Sequence, residues 1–351
     1  MLPYCQHYPY PPPHGAHYYS QQPYMAPPPP VKLVPYGYDR HILLRMLIGP
    51  IDYPFFSYFS AFAMAGVLIY EFVRMNQLTG QIIATSPFNP MIGPSAWVLV
   101  NTGARFTPCI RDIPSFPVTK TVNFCYQNAT STCTLEELCG FGGFGSSGVP
   151  NQSFRLIIPI FMHAGVIHFL MNMLTHLRLG VDLERALGTP RYVILYIASG
   201  IGGFIVSAML SQNLSASMGC SGALFGLIGY MFIDLLINWK FLPHPVRDLM
   251  GLLISTIISL VLGLLPGLDN FAHIGGFSVG LLMGIAIAPM RPRAGDLLKT
   301  VTWFIRLISL VALAAFFFIA VRAFYSSPDP SKICPNCKYL SCLPVNNWCD
   351  M

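Results

Sequence analysis

Seven apolar runs, each long enough to cross a bilayer as a helix, leave this chain few ways to fold. With no water in the hydrocarbon core, every such run must satisfy its own backbone hydrogen bonds. The runs cover residues 54–72, 165–183, 192–210, 218–239, 249–265, 271–289 and 303–324. The apolar stretch ahead of the second begins near Leu156, and the part before Gly165 is read as a partly embedded piece of the preceding loop. Charged residues supply only 10% of the chain against 54% hydrophobic, too few to cover a water-facing surface, so the fold class expected is an all-α polytopic membrane bundle.

Basic residues orient the bundle. If the N-terminus is cytosolic, the cytosolic connections hold Arg185, Arg191, Lys240, Arg247, Arg291, Arg293 and Lys299, while the short opposite loops, 211–217 and 266–270, hold no Lys or Arg. The net charge of +6 is thus accounted for by membrane topology and makes no case for nucleic acid. Cysteine placement argues the same way. Cys109, Cys125, Cys133 and Cys139 lie in the long first loop, and Cys334, Cys337, Cys342 and Cys349 in the C-terminal segment. With seven spans both regions face away from the cytosol, where disulfides persist. Their connectivity is open at this stage, and for Cys334-x-x-Cys337 a zinc knuckle is the alternative to pairing. Asn128 and Asn151 head glycosylation sequons in the same loop. Cys220 reads as a small residue that packs closely.

Four regions follow. Residues 1–40 are crowded with Pro and Tyr and are expected to be a disordered cytosolic tail, with Pro27-x-x-Pro30-x-Lys32 fitting an SH3-type partner. Residues 41–290 form the core with a lumenal first loop at 75–164, residues 291–325 a linker and seventh helix, and residues 326–351 a lumenal Cys-rich tail. No cleavable signal peptide is evident ahead of the first span, which is expected to act as the insertion signal.

The chemistry is carried by polar residues inside these runs. Ser221 opens the fourth span within Gly219-Cys220-Ser221-Gly222, and His273 opens the sixth within Ala272-His273-Ile274-Gly275-Gly276. At about 1.5 Å per helical residue the two stand within roughly 5 Å of one level near the outer face, where a histidine can take the serine's proton. Gly222, Gly226 and Gly229 line the fourth span, and Gly276, Gly280 and Gly284 recur every fourth residue on the sixth, so the two backbones can approach closely. His168 and Asn172 share a face of the second span and are the candidate oxyanion donors. His163, a turn further out, is read as a structural histidine holding the first loop. A lone serine in a membrane helix usually packs or bonds to its own backbone, but four polar groups within reach of one cavity mark a site.

These motifs resemble the rhomboid family of intramembrane serine proteases: Gly-x-Ser-Gly at 219–222, Ala-His-x-x-Gly-x-x-x-Gly at 272–280, His-x-x-x-Asn at 168–172, and Gly180-x-x-x-Glu184-x-x-x-Gly188. The similarity runs from about Pro54 to Pro289. The added seventh helix and the segment Asn89-Pro90 to Pro94-Ser95 are similar to the eukaryotic secretase-type branch of the secretory pathway (Golgi, endosome or plasma membrane). The resemblance implies Ser221 as nucleophile, His273 as base in a dyad without a third acidic member, and His168, Asn172 and the Ser221 N–H as oxyanion hole. No cofactor or metal is implied. It also implies that Arg155, Glu184 and Arg185 are structural, the last two tying the second span to the first loop. Two positions depart from the pattern: Phe154 precedes Arg155 where a Trp is usual, and Phe225 lies one turn after the serine where a hydroxylated ring is common. The expected substrates are single-span membrane proteins cut near the lumenal face, the bilayer being the other partner, with water entering past the loop at 266–270. The alternative is a catalytically inactive relative that binds transmembrane segments for trafficking or degradation. A transporter would show inverted repeats and broken helices, and none is seen.

Overall fold

The computed structural model describes residues 49–123, 125, 132–212, 214–265, 267–289, 296–329 and 332–341. The Pro/Tyr-rich stretch with its Pro27–Lys32 pattern, Asn128, Cys342 and Cys349 lie outside them. The chain is a multi-pass membrane protein, and every expected span corresponds to a helix. These are α1 (Phe55–Thr79), α5 (Val166–Thr175) running into α6 (Val181–Leu187), α7 (Thr189–Leu210), α8 (Ser221–Ile237), α9 (Pro245–Leu262), α10 (Asn270–Ile287) and α11 (Asp296–Ser326). Between α5 and α6 the backbone stays right-handed helical through a widened turn at His176–Gly180, so the two form one rod.

Several boundaries differ from the sequence expectation. Helix α1 continues to Thr79 instead of stopping at residue 72, so the first loop starts at Gly80 rather than at 75. Its last turns are polar but still helical: Arg74 Nε donates to Asn101 Oδ1 at 3.1 Å, and Gly80 stops the helix at φ 72°. Helix α11 is already helical at Asp296, seven positions before the expected 303, its polar first turns being helical too. The fourth helix begins at Ser221 rather than 218, since Ser217 is held in extended backbone by reciprocal hydrogen bonds with Arg105 (2.9 Å each way) and Gly219 takes φ 124°. Seventeen residues rise about 25 Å. That falls short of the roughly 30 Å hydrocarbon core, so one end of α8 lies within the bilayer rather than at its surface.

Glu184 and Arg185 correct an expectation: they tie the second rod to the start of α1, not to the first loop. They sit at the end of that rod opposite the loop, beside the first turn of α1. Glu184 accepts from the Phe56 N–H (2.9 Å), the Ser57 N–H (2.7 Å), Ser57 Oγ (2.7 Å) and Thr189 Oγ1 (2.7 Å), capping first-turn amides that Pro54 leaves without a side-chain partner. Arg185 Nε reaches Asp52 O at 3.3 Å. The motif glycines serve the same joint. A side chain at Gly180 would stand 2.3 Å from the Tyr192 hydroxyl, and Gly188 turns the chain at φ 82°.

The first loop folds on a core of its own, built from Phe106, Ile113, Leu135, Leu138 and Phe144. It contains α2 (Ala96–Asn101), α3 (Thr107–Ile110), α4 (Leu135–Cys139) and an antiparallel pair, β1 (Thr121–Asn123) with β2 (Thr132–Thr134), the only strands among the described residues. Disulfides join Cys109 to Cys139 and Cys125 to Cys133, and a third closes Cys334 to Cys337 in the C-terminal segment. Arg155 is the hub. Fully buried, it donates to Val100 O (2.7 Å), Ala104 O (2.8 Å), Gln152 Oε1 (2.8 Å) and Cys139 O, the dense pairing that a buried guanidinium requires. Phe154 turns its ring edge to Phe141, and the Arg155 guanidinium lies over both rings.

The polypeptide re-enters the bundle at Ser153–Leu156 and Ile158–Phe161, two short tight helices whose Leu156, Pro159 and Ile160 are buried. Pro159 O accepts from the Gly219 N–H at 2.9 Å, so the returning loop and the approach to α8 brace each other at the depth where the polar residues gather.

Candidate active site

Helices α7, α8 and α10 meet through backbone rather than side chains. A Cβ at Gly276 would lie 1.9 Å from Gly222 O, one at Gly280 2.1 Å from Gly226 O, and one at Gly203 2.6 Å from Ala272 O. No side chain fits at these crossings, and this close approach brings the ends of α8 and α10 into hydrogen-bonding range.

His273 Nε2 and Ser221 Oγ stand 2.8 Å apart. The tautomer follows from the far side of the ring. His273 Nδ1 lies 3.0 Å from Asn270 Oδ1, while Asn270 Nδ2 donates to Leu260 O (2.8 Å) and Leu340 O (3.1 Å). Two carbonyl acceptors fix the amide nitrogen, so the amide oxygen faces the ring and Nδ1 must carry the hydrogen. The Nε2 lone pair is then free to accept the serine proton. Phe225 lies flat on the imidazole, with centroids 4.3 Å apart and planes at 12°, and holds the ring in plane without a hydroxyl.

His168 and Asn172 reach the same pocket from α5. His168 Nδ1 accepts from the Ala164 N–H (3.3 Å), which assigns the ring hydrogen to Nε2. Asn172 Nδ2 is buried with no hydrogen-bond partner among the described residues. Leaving such a donor unpaired costs about 1–3 kcal/mol. Both groups crowd Gly219: a Cβ there would lie 2.8 Å from His168 Cε1 and 3.4 Å from Asn172 Nδ2. The left-handed φ at this glycine thus admits the chain to a spot that a side chain would fill. Ser221 is the first residue of α8, so its N–H is one of the amides a helix cannot pair internally, and it carries the positive end of the helix dipole.

His163 stands apart from the serine. Its N–H donates to Glu71 Oε1 at 3.3 Å, joining the end of the first loop to α1. Its Nε2 is 3.9 Å from Cys220 Sγ, and its ring meets His168 edge-on at 5.4 Å. Cys220 is buried and unpaired.

Three residues of this region are missing from the sequence reading. Asn270 lies three before His273 on one helix face, and that spacing is the signal that could have exposed it. Asp269 caps α10 by accepting from the Ala272 N–H at 3.1 Å, and Ser207 Oγ also donates to it. Arg105, fully buried, pairs with Asp269 at 3.4 Å and donates to Ser215 O at 2.8 Å, so one ion pair clamps the first loop, α7, the approach to α8 and the start of α10. Burial works against the Asp269 carboxylate, but Arg105 and the hydroxyl and amide donors outweigh it and hold the acid below its ordinary range.

Comparison with known proteins fits this arrangement. A Rhomboid domain profile matches residues 150–290. Rhomboid-type serine protease 2 of Emericella nidulans is 38% identical, over 84% of this chain and 71% of that protein. This chain belongs to the rhomboid family. RHOMBOID-like protein 2 of Arabidopsis thaliana is also 38% identical, over 56% of this chain and 66% of its own length. Inactive rhomboid protein 1 of Papio anubis is 32% identical, over 62% of this chain and 25% of its own length. Rhomboid relatives therefore include proteins named as proteases and proteins named as inactive.

Proposed function

We propose that this rhomboid is an intramembrane serine endopeptidase, acting on single-span membrane proteins in or next to their transmembrane segments. The observation that carries the reading is the 2.8 Å contact between His273 Nε2 and Ser221 Oγ, with Nδ1 committed to Asn270. His273 Nε2 takes the serine proton as Oγ attacks the scissile carbonyl. The developing oxyanion is received by the Ser221 N–H, His168 Nε2 and Asn172 Nδ2, and the loss of one such donor costs about 3–4 kcal/mol in the transition state. His273 then hands its proton to the leaving amine, and water, activated by the same nitrogen, hydrolyses the acyl-enzyme. The unpaired Asn172 amide supports this reading, since a buried donor with nothing to bond is suited to a charge that exists only during reaction.

The disulfides of the first loop and the basic connections at the opposite face favour a lumenal or extracellular active face and a cytosolic N-terminus in a secretory-pathway membrane. Released ectodomains are the expected product. The test is ectodomain shedding from a single-span reporter by wild type, Ser221→Ala and His273→Ala, with labelling by a serine-directed fluorophosphonate. Wild type should cleave and label, and each variant should lose at least about a thousandfold in rate while keeping its melting temperature. Equal release by wild type and Ser221→Ala would favour an inactive relative that binds transmembrane segments.

A further inference from the structure

At the end of the bundle away from the serine, α8, α10 and α11 close around a cleft of about 410 Å³ that the peptidase chemistry does not use. Ile233 and Ile237 of α8, Ile285 of α10, and Leu298 and Ile305 of α11 line it, and Arg306 stands at its edge. Three features of this arginine are unusual for a residue inside a membrane helix. It has no carboxylate within ion-pair distance among the described residues. Its Nε is buried without a partner, while its Nη2 donates to Ala288 O just past the end of α10. Its guanidinium lies 5.3 Å from the centre of the Trp303 ring, one turn nearer the helix start. Two acids on the flanking helices are already engaged, Asp234 by Asn238 Nδ2 (3.0 Å) and Asp296 by Lys299 Nζ (3.0 Å).

A tryptophan marks the depth of the headgroup boundary, and an arginine beside it is placed to meet an anionic headgroup. The cleft is lined by apolar side chains with Arg306 as its one charged residue among the described residues, and it lies at the end of the bundle that carries the Lys- and Arg-rich connections, the side on which anionic lipids concentrate when it is cytosolic. We infer that this cleft is a binding site for an anionic phospholipid of that leaflet, its headgroup on Arg306 and an acyl chain between α8, α10 and α11. The site is separate from the serine and histidine, so its test does not depend on activity.

The experiment is native mass spectrometry of the full chain taken from vesicles of equal parts phosphatidylcholine and phosphatidylserine. Wild type should retain phosphatidylserine about fivefold or more over phosphatidylcholine, the factor expected of a single surface cation. Arg306→Gln should bring the ratio close to one, and Arg306→Lys should restore most of it. Ile285→Phe leaves Arg306 in place but fills the apolar wall, and should lower retention of both lipids. Added inorganic phosphate should not displace the lipid, because it has no chain for the cleft. Equal retention of the two lipids by wild type, an unchanged preference in Arg306→Gln, displacement by phosphate, or indifference to Ile285→Phe would each overturn the inference. Should Arg306→Gln fail to fold, the Ile285→Phe and phosphate arms decide it.

Discussion

Helices α7 and α10 keep 61% and 56% of their membrane windows inside the protein, whereas α9 and α11 keep 11% each. The two groups have similar apolarity, so hydrophobicity does not separate them; the size of the residues at the contacts does. In α7, α8 and α10, glycines let one backbone sit against another, and dispersion plus fit replace the hydrophobic drive that lipid cancels. Helix α9 turns Ile254, Ile257, Ile258 and Val261 outward. The contrast teaches where precision is needed: the helices bearing Ser221 and His273 are locked to each other, while their neighbours are held by longer side chains and the surrounding lipid.

The largest effect expected from breaking this comparison is at Gly276. With a Cβ already 1.9 Å from Gly222 O, Gly276→Leu should lose more than about 3 kcal/mol and most of the folded protein, read by thermal melting and yield. Ile257→Val on the exposed face of α9 should stay within about 0.5 kcal/mol. If both cost the same, backbone contact is not what distinguishes the two groups.

A smaller effect sharpens the point inside the site. Asn270→Ala frees the imidazole to take either tautomer, so kcat should fall about 10–100-fold, the range seen when an outer partner of a functional histidine is lost. KM should hold and the acid limb of the pH–rate profile should move, while the melting temperature falls with the two carbonyl bonds that the amide also makes. A change in KM alone would deny Asn270 this orienting part.

The smallest effect concerns acid stability. Asp269 has a folded-state pKa below its ordinary 3.8, so its contribution is complete above that value and drains away as pH falls through the lower folded-state value. Asp269→Asn should therefore melt earlier than wild type at neutral pH, with the gap narrowing below about pH 4. No gap at neutral pH would mean that Asp269 acts only as a helix cap, a part that asparagine also fills.

Much of this was legible in the chain because a membrane writes its demands plainly. Apolar runs located the helices, the glycine period announced the α8–α10 contact, and Ser221 and His273 stood out as polar residues at matched depth. Where apolarity and helicity part company, the reading failed: Arg74, Asn76 and Gln77 are polar yet helical, so α1 outlasts its apolar run. Glu184 was visible as a signature, but its partners Phe56 and Ser57 lie more than a hundred positions away and no local pattern links them. Asn270 and Arg105 were hidden for a related reason. Their worth depends on what folds against them, and a polar residue at the edge of a span looks ordinary until its neighbours are known.

The amide of Asn270 donates to Leu340 as well as to Leu260, so the last described stretch of the chain is two hydrogen bonds from the imidazole. That segment and the imidazole therefore share one side-chain support, and losing the segment would leave the Asn270 amide with a single carbonyl acceptor.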